Sequence, residues 1–193
     1  MKQVRVDRKT NETDISLCLD VYGSGKAEIS SGNGFFDHML TLFAAHGRFD
    51  LTLACKGDLE VDFHHSAEDI GIALGQAFKE ALGDKRGISR YGFFILPMDE
   101  ALVLCAVDAS GRPYLGWDVT IPYEMIGAFP SELAEEFWLA FCRTGGFTIH
   151  VRELAGKNSH HIVEAVFKCM GRALAASAAP SGHDDVPSTK GTL

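Results

Sequence analysis

The chain has 193 residues, 46% of them apolar and 23% charged, the ordinary mix of a soluble globular protein long enough to bury a sizeable core. A net charge of −8 leaves no basic stripe for nucleic acid, and that partner class is set aside. Five scattered cysteines without a Cys-x-x-Cys pair, an N-terminus without a signal-like apolar core and the lack of any run of membrane-spanning length predict a cytoplasmic protein with reduced thiols and no membrane partner.

Residues 3–9 alternate and predict a first strand, followed by a turn at Thr10-Asn11. Ile15, Leu17, Leu19 and Val21 alternate with polar neighbours, so a second strand buries one face. Gly23-Ser24-Gly25 turns it, and residues 26–30 are expected to pair back as a hairpin. Glu12, ahead of the second strand, reads by itself as a solvated carboxylate. Phe36, Met39, Leu40, Phe43 and Ala44 follow helical spacing up to Gly47, which places His38 near the start of a helix. Residues 50–55 predict a strand with a Gly57-Asp58 turn. A helix over about 65–82 follows, its buried stripe formed by Ile70, Ala73, Leu74, Ala77, Phe78 and Ala81. The pattern then begins again, with strands at 100–108 and 113–121, a loop with Pro122 and Pro130, a helix over 131–142, a strand at 147–152 and a last helix with Ile162, Ala165, Val166, Met170 and Ala173 buried.

Two stretches organise this order, His64-His65-Ser66-Ala67-Glu68 and His160-His161-Ile162-Val163-Glu164, which share the pattern His-His-x-x-Glu 96 positions apart. Two matched copies predict a duplicated half-domain, residues 1–87 and 88–178, with a Pro/Gly/Ser-rich tail at 179–193 that is mobile until ligand arrives. On a helix each Glu lies on the face of its own histidines, while adjacent histidines diverge by about 100°. The pattern therefore predicts two metals, each taking one His from a given pair. Imidazole and carboxylate without thiolate suit a divalent first-row ion. Aligning the halves sets Glu100 opposite Glu12, Asp108 opposite Asp20, and Glu136 opposite His38, so that if His38 is a ligand, Glu136 is its counterpart. His46 and His150 break that symmetry and read either as residues that support the ligands from behind or as structural, and His183 reads as solvated. Arg90, Arg112, Lys168, Ser188 and Lys190 are surface residues when taken singly; together they would supply donors to a phosphate.

Assembled, these residues resemble the imidazoleglycerol-phosphate dehydratase family. The likeness runs through Phe36-Asp37-His38-Met39-Leu40, both His-His-x-x-Glu stretches, Ser110-Gly111-Arg112-Pro113-Tyr114-Leu115 and Ser188-Thr189-Lys190-Gly191, and covers nearly the whole chain. It implies a duplicated α+β fold of the ribosomal protein S5 domain 2 type, each half a four-stranded sheet with helices on one face. It also implies a 24-subunit homo-oligomer with active sites between subunits and two Mn2+ ions per site. The matching metal ligands are His38, His64, His65, Glu68, Glu136, His160, His161 and Glu164, and the matching residues for the phosphate or glycerol end are Arg90, Arg112, Lys168, Ser188 and Lys190. The implied reaction removes water from imidazoleglycerol phosphate to give imidazole acetol phosphate in histidine biosynthesis, with the substrate imidazolate held by metal. Glu12, also at the substrate, is the favoured acceptor of the carbon-bound proton because it stays off the metal, with Glu164 second. Two departures are visible: Phe63 stands where the family often has Asp, which would remove an acceptor that orients an imidazole, and Glu136 stands where some members have His. The competing readings are a metal-dependent phosphohydrolase and a metal-buffering cage.

Overall fold

The structure is a computed structural model that describes residues 3–193. The first half contains β1 (Val4–Lys9), β2 (Thr13–Asp20), β3 (Ala27–Ser30), α1 (Gly34–Gly47), β4 (Asp50–Gly57) and α2 (His64–Leu82). The second contains β5 (Tyr91–Met98), β6 (Ala101–Asp108), β7 (Tyr114–Asp118), the short pair β8 (Met125–Ile126) and β9 (Phe129–Pro130), α3 (Leu133–Gly145), β10 (Thr148–Ala155) and α4 (Ser159–Ala178). The sheets run β1-β2-β4-β3 and β5-β6-β10-β7, the same topology twice, so the chain is a duplicated α+β protein.

The expected hairpin between β2 and residues 26–30 does not form. β3 pairs parallel with β4, which lies between it and β2. Asp50, at the start of β4, explains the detour: its Oδ1 accepts from the backbone N–H groups of Ser24, Gly25 and Lys26 at 2.7–3.0 Å and from the Ser24 hydroxyl. The turn is thereby pulled across the end of β4, and α1 supplies the crossover that a parallel pair requires. Gly23 makes this approach possible, since a Cβ there would stand 2.5 Å from the Asp50 nitrogen. β5 escapes the alternation rule because both of its faces are apolar and Pro97 interrupts it, which an edge strand tolerates. The strand expected at 113–121 ends at Asp118, and the following loop holds the β8–β9 pair.

The inner face of each sheet carries alternating apolar residues, such as Ile15, Leu17 and Leu19 of β2 and Val103, Cys105 and Val107 of β6, and all four helices pack on these faces. The helices pair across the halves: α1 lies on α4, and α2 on α3. Gly171 of α4 meets the backbone of Phe43 and Gly47, and Gly75 of α2 meets that of Phe141 and Gly145, so one close crossing occurs twice. Between them lies an aromatic core of Phe36, Phe43, Phe78, Phe137, Trp138 and Phe167, all fully buried. Position 63 belongs to this core. The Phe63 ring is buried and packs at 5.6 Å from Phe36 and 6.2 Å from Phe129.

Candidate active site

Each motif starts a helix whose first turn is capped. Asn158 accepts from the N–H groups of His160 and His161 at 2.9 and 3.3 Å, and Asp62 accepts from that of His64 at 2.7 Å. These bonds satisfy donors that a helix start leaves free and fix the backbone that carries the imidazoles. Within each pair the rings stand nearly perpendicular, 88° for His64 and His65 and 82° for His160 and His161, with centroids just over 6 Å apart. Neighbouring rings therefore diverge, as the helical geometry requires.

The crossing of α1 on α4 brings His38 of the first half to His160 and Glu164 of the second. Glu164 Oε2 lies 3.0 Å from His160 Nε2 and 3.5 Å from His38 Nε2, and one ligand atom from each residue lies within 4.8 Å of the others. Glu164 is buried and also receives Lys168 Nζ at 2.5 Å. Burial pushes its carboxyl up, but the Lys168 ammonium and His160 outweigh that, and its pKa falls below the ordinary carboxylate value. Two nitrogens and a carboxylate oxygen facing one point, with no thiol among them, fit a divalent first-row ion. By the repeat, Glu136 of α3 takes the place of His38 beside α2, with its His64 and Glu68. Among the described residues, though, these three do not close into a comparable cluster within the chain.

His65 and His161 have carboxylate partners that the sequence did not assign. His65 Nδ1 lies 3.0 Å from Asp58 Oδ2, and His161 Nδ1 lies 2.7 Å from Glu100 Oε2. Asp58 raises the pKa of His65, and Glu100 raises that of His161. Glu100 is in turn held down to about 2 by His161 and by the Asn158 N–H. Asp58 read as a turn residue and Glu100 as a strand residue, and no periodicity joins either to its histidine, because Asp58 lies in the turn ahead of α2 and Glu100 in the turn between β5 and β6. Glu12 comes within 3.8 Å of His65 Nε2 and is half exposed.

Of the predicted phosphate residues, Arg90, Arg112, Ser188 and Lys190 line one cavity of about 340 Å³, together with Tyr91 and Thr189. Lys168 stands apart from it on α4, on Glu164. Arg90 forks onto Asp108 at 2.7 and 3.2 Å and donates to the Pro187 carbonyl, tying the tail to the second sheet. The tail is fastened further by Ser181 N–H to the Gly87 carbonyl and Gly87 N–H to the Asp185 carbonyl. The Arg90 backbone bonds Ser177, near the far end of α4, and at about 1.5 Å rise per residue that end lies roughly 25 Å from His160.

A family model described as imidazoleglycerol-phosphate dehydratase matches residues 31–174. The chain belongs to the imidazoleglycerol-phosphate dehydratase family. Curated members of that name from Acetivibrio thermocellus and a Jannaschia species are 55% and 53% identical to it, over all of this chain and 99% and 100% of theirs. Among solved structures, the dehydratases of Staphylococcus aureus and Pyrococcus furiosus superpose with TM-scores of 0.85 at 36% and 42% identity, covering 93% and 97% of this chain and the whole of theirs. The chain is thus an enzyme of the hydro-lyase class.

Proposed function

We propose that the chain dehydrates imidazoleglycerol phosphate to imidazole acetol phosphate in histidine biosynthesis, in the cytoplasm, at sites that hold two Mn2+ ions and are shared between copies of the chain in a 24-subunit assembly. The observation that carries the metal part is the convergence of His38, His160 and Glu164 within 4.8 Å, with diverging histidines left over in each pair. His38, His160 and Glu164 would hold one ion and His64, Glu68 and Glu136 the other, with His65 and His161 completing the sets of neighbouring copies. When bound, the ions supply Lewis acidity that stabilises negative charge on the substrate imidazole at neutral pH.

Sharing is supported by separation. The cationic cavity sits roughly 25 Å along α4 from His160, farther than one imidazole ring and a three-carbon phosphate can reach. A single copy would then offer one end of the substrate and a neighbour the other. The outer face of β5 exposes Tyr91, Phe93 and Ile95, with Phe93 73% accessible, an apolar patch of the kind that marks association surfaces.

The chain's own residues divide the remaining work. Arg90, Arg112, Ser188 and Lys190 bind the phosphate through charge-assisted hydrogen bonds. Glu164 is a poor base, since Lys168 and His160 occupy its oxygens and lower its pKa. Glu12 has an exposed carboxylate with no side-chain hydrogen bond among the described residues, and takes the carbon-bound proton. The test is an assay of the purified protein, stripped of metal and resupplied with manganese, following the ketone product from imidazoleglycerol phosphate. Manganese-dependent ketone formation is expected; release of inorganic phosphate would replace this reading with hydrolysis, and many bound ions without turnover would replace it with a metal store.

A further inference from the structure

The two motifs repeat each other, but the carboxylates around them do not. Glu12 and Glu100 hold the same place in the two halves, each eight residues ahead of the aspartate that closes its half's second strand, Asp20 or Asp108. In the second half Glu100 is fully engaged. Its Oε2 takes His161 Nδ1 at 2.7 Å, and its Oε1 accepts from the N–H groups of Asn158 and Lys157 at 2.9 and 3.3 Å. In the first half Asp58 takes the equivalent nitrogen, with its two oxygens 3.0 and 3.2 Å from His65 Nδ1. Asp58 has no repeat partner, because the residue seven before His161 is Leu154.

We infer that Asp58 and Glu100 are positioning residues that hold His65 and His161 with Nδ1 protonated and Nε2 turned outward to ligate metal, and that Asp58, by taking this duty, releases Glu12 for proton transfer. The inference rests on the two-metal reading above. An imidazole that donates Nδ1–H to a carboxylate is locked in one tautomer and one orientation, and its Nε2 lone pair becomes a stronger donor. Both rings meet that condition through carboxylates from different elements: the loop after β4 for His65, the β5–β6 turn for His161. Glu12 and Asp99 then face the two Nε2 atoms, each at 3.8 Å.

The experiment uses full-length Asp58→Asn and Glu100→Gln, stripped of metal and titrated with manganese while free ion is read by electron paramagnetic resonance. The wild type binds two ions per chain, and each variant binds manganese about 10- to 100-fold more weakly, the loss typical when such an outer partner is removed. Turnover of Asp58→Asn returns as manganese is raised, whereas that of Glu12→Gln stays low at every manganese concentration. Affinities within twofold of wild type in both variants would overturn the inference, as would a turnover defect in Asp58→Asn that manganese does not relieve. A wild type that binds no manganese would instead overturn the two-metal reading. Should Glu100→Gln melt earlier through its lost backbone contacts, Asp58→Asn, whose carboxylate bonds only His65 among the described residues, decides the matter by itself.

Discussion

Replacing Gly171 by alanine tests whether the crossing of α1 and α4 holds the imidazole and carboxylate groups together. A Cβ at this position would stand 2.6 Å from the Phe43 carbonyl oxygen and 3.0 Å from the Gly47 nitrogen. Both are backbone atoms inside a helix and cannot swing aside, so the helices must part by about 0.8 Å to reach an ordinary 3.4 Å contact. Overpacking of this kind costs about 1–3 kcal/mol, against about 1 kcal/mol gained from the better helix propensity of alanine. The net, a loss of up to about 2 kcal/mol, lowers the melting temperature by up to roughly 8 °C in a chain of this size. The same displacement carries His38 away from Glu164, opening a contact that now measures 3.5 Å and weakening manganese binding. Gly75→Ala makes the matched comparison, since its Cβ would meet the Phe141 carbonyl at 2.6 Å in the other crossing, parting α2 with His64 and Glu68 from α3 with Glu136 while leaving His38, His160 and Glu164 in place. Thermal melts of the metal-free proteins and manganese titrations read the two effects separately. Wild-type stability together with wild-type manganese affinity in Gly171→Ala would refute the reasoning.

Three further outcomes follow from the geometry. Glu12→Gln keeps manganese and substrate binding while turnover drops about 100- to 10,000-fold, the usual contribution of a general base; unchanged turnover in the ketone assay removes Glu12 from the role. In metal-free protein the raised pKa values of His65 and His161 stabilise the fold fully below the ordinary imidazole value, and that stability is lost as pH rises through the raised values. The metal-free melting temperature is therefore lower at pH 9 than at pH 6 on this account, while manganese binding, which must displace those protons, tightens over the same interval; parallel trends would contradict it. Arg90→Lys forfeits the fork onto Asp108 and the bond to Pro187, so the tail over 179–193 is trimmed faster in limited proteolysis and KM rises more than kcat falls. Equal trimming, with and without a substrate analogue, would separate the tail from substrate binding.

Much of the local structure was legible because it depends on period and spacing. Alternation placed β2 and β4, the 3.6-residue stripe placed α1, α2 and α4, and the two His-His-x-x-Glu stretches marked both helix starts and the duplication. The same repeat set Glu136 opposite His38 and Glu12 opposite Glu100 before any contact was known. What alternation cannot express is partner choice. The detour of β3 past β2 depends on Asp50 gathering the Ser24–Lys26 amides from 24 to 26 residues away, and β5 has an apolar outer face that erases its period.

The deeper limit lies in the pairing of helices. The sequence by itself determined which residue types could serve as ligands, on which helix face each motif presents them, and that the pattern occurs twice. Tertiary structure alone decided that His38 joins the motif of the opposite half, because Gly171 lets α4 approach the α1 backbone closely enough to bring His38 to Glu164. It also decided that Asp58 and Glu100, unrelated by the repeat, both reach an Nδ1 atom, and that Phe63 turns into the aromatic core. Spacing along one helix is set by covalent geometry and can be read from order; contacts between elements depend on how side chains fill space between them, which order along the chain does not encode locally.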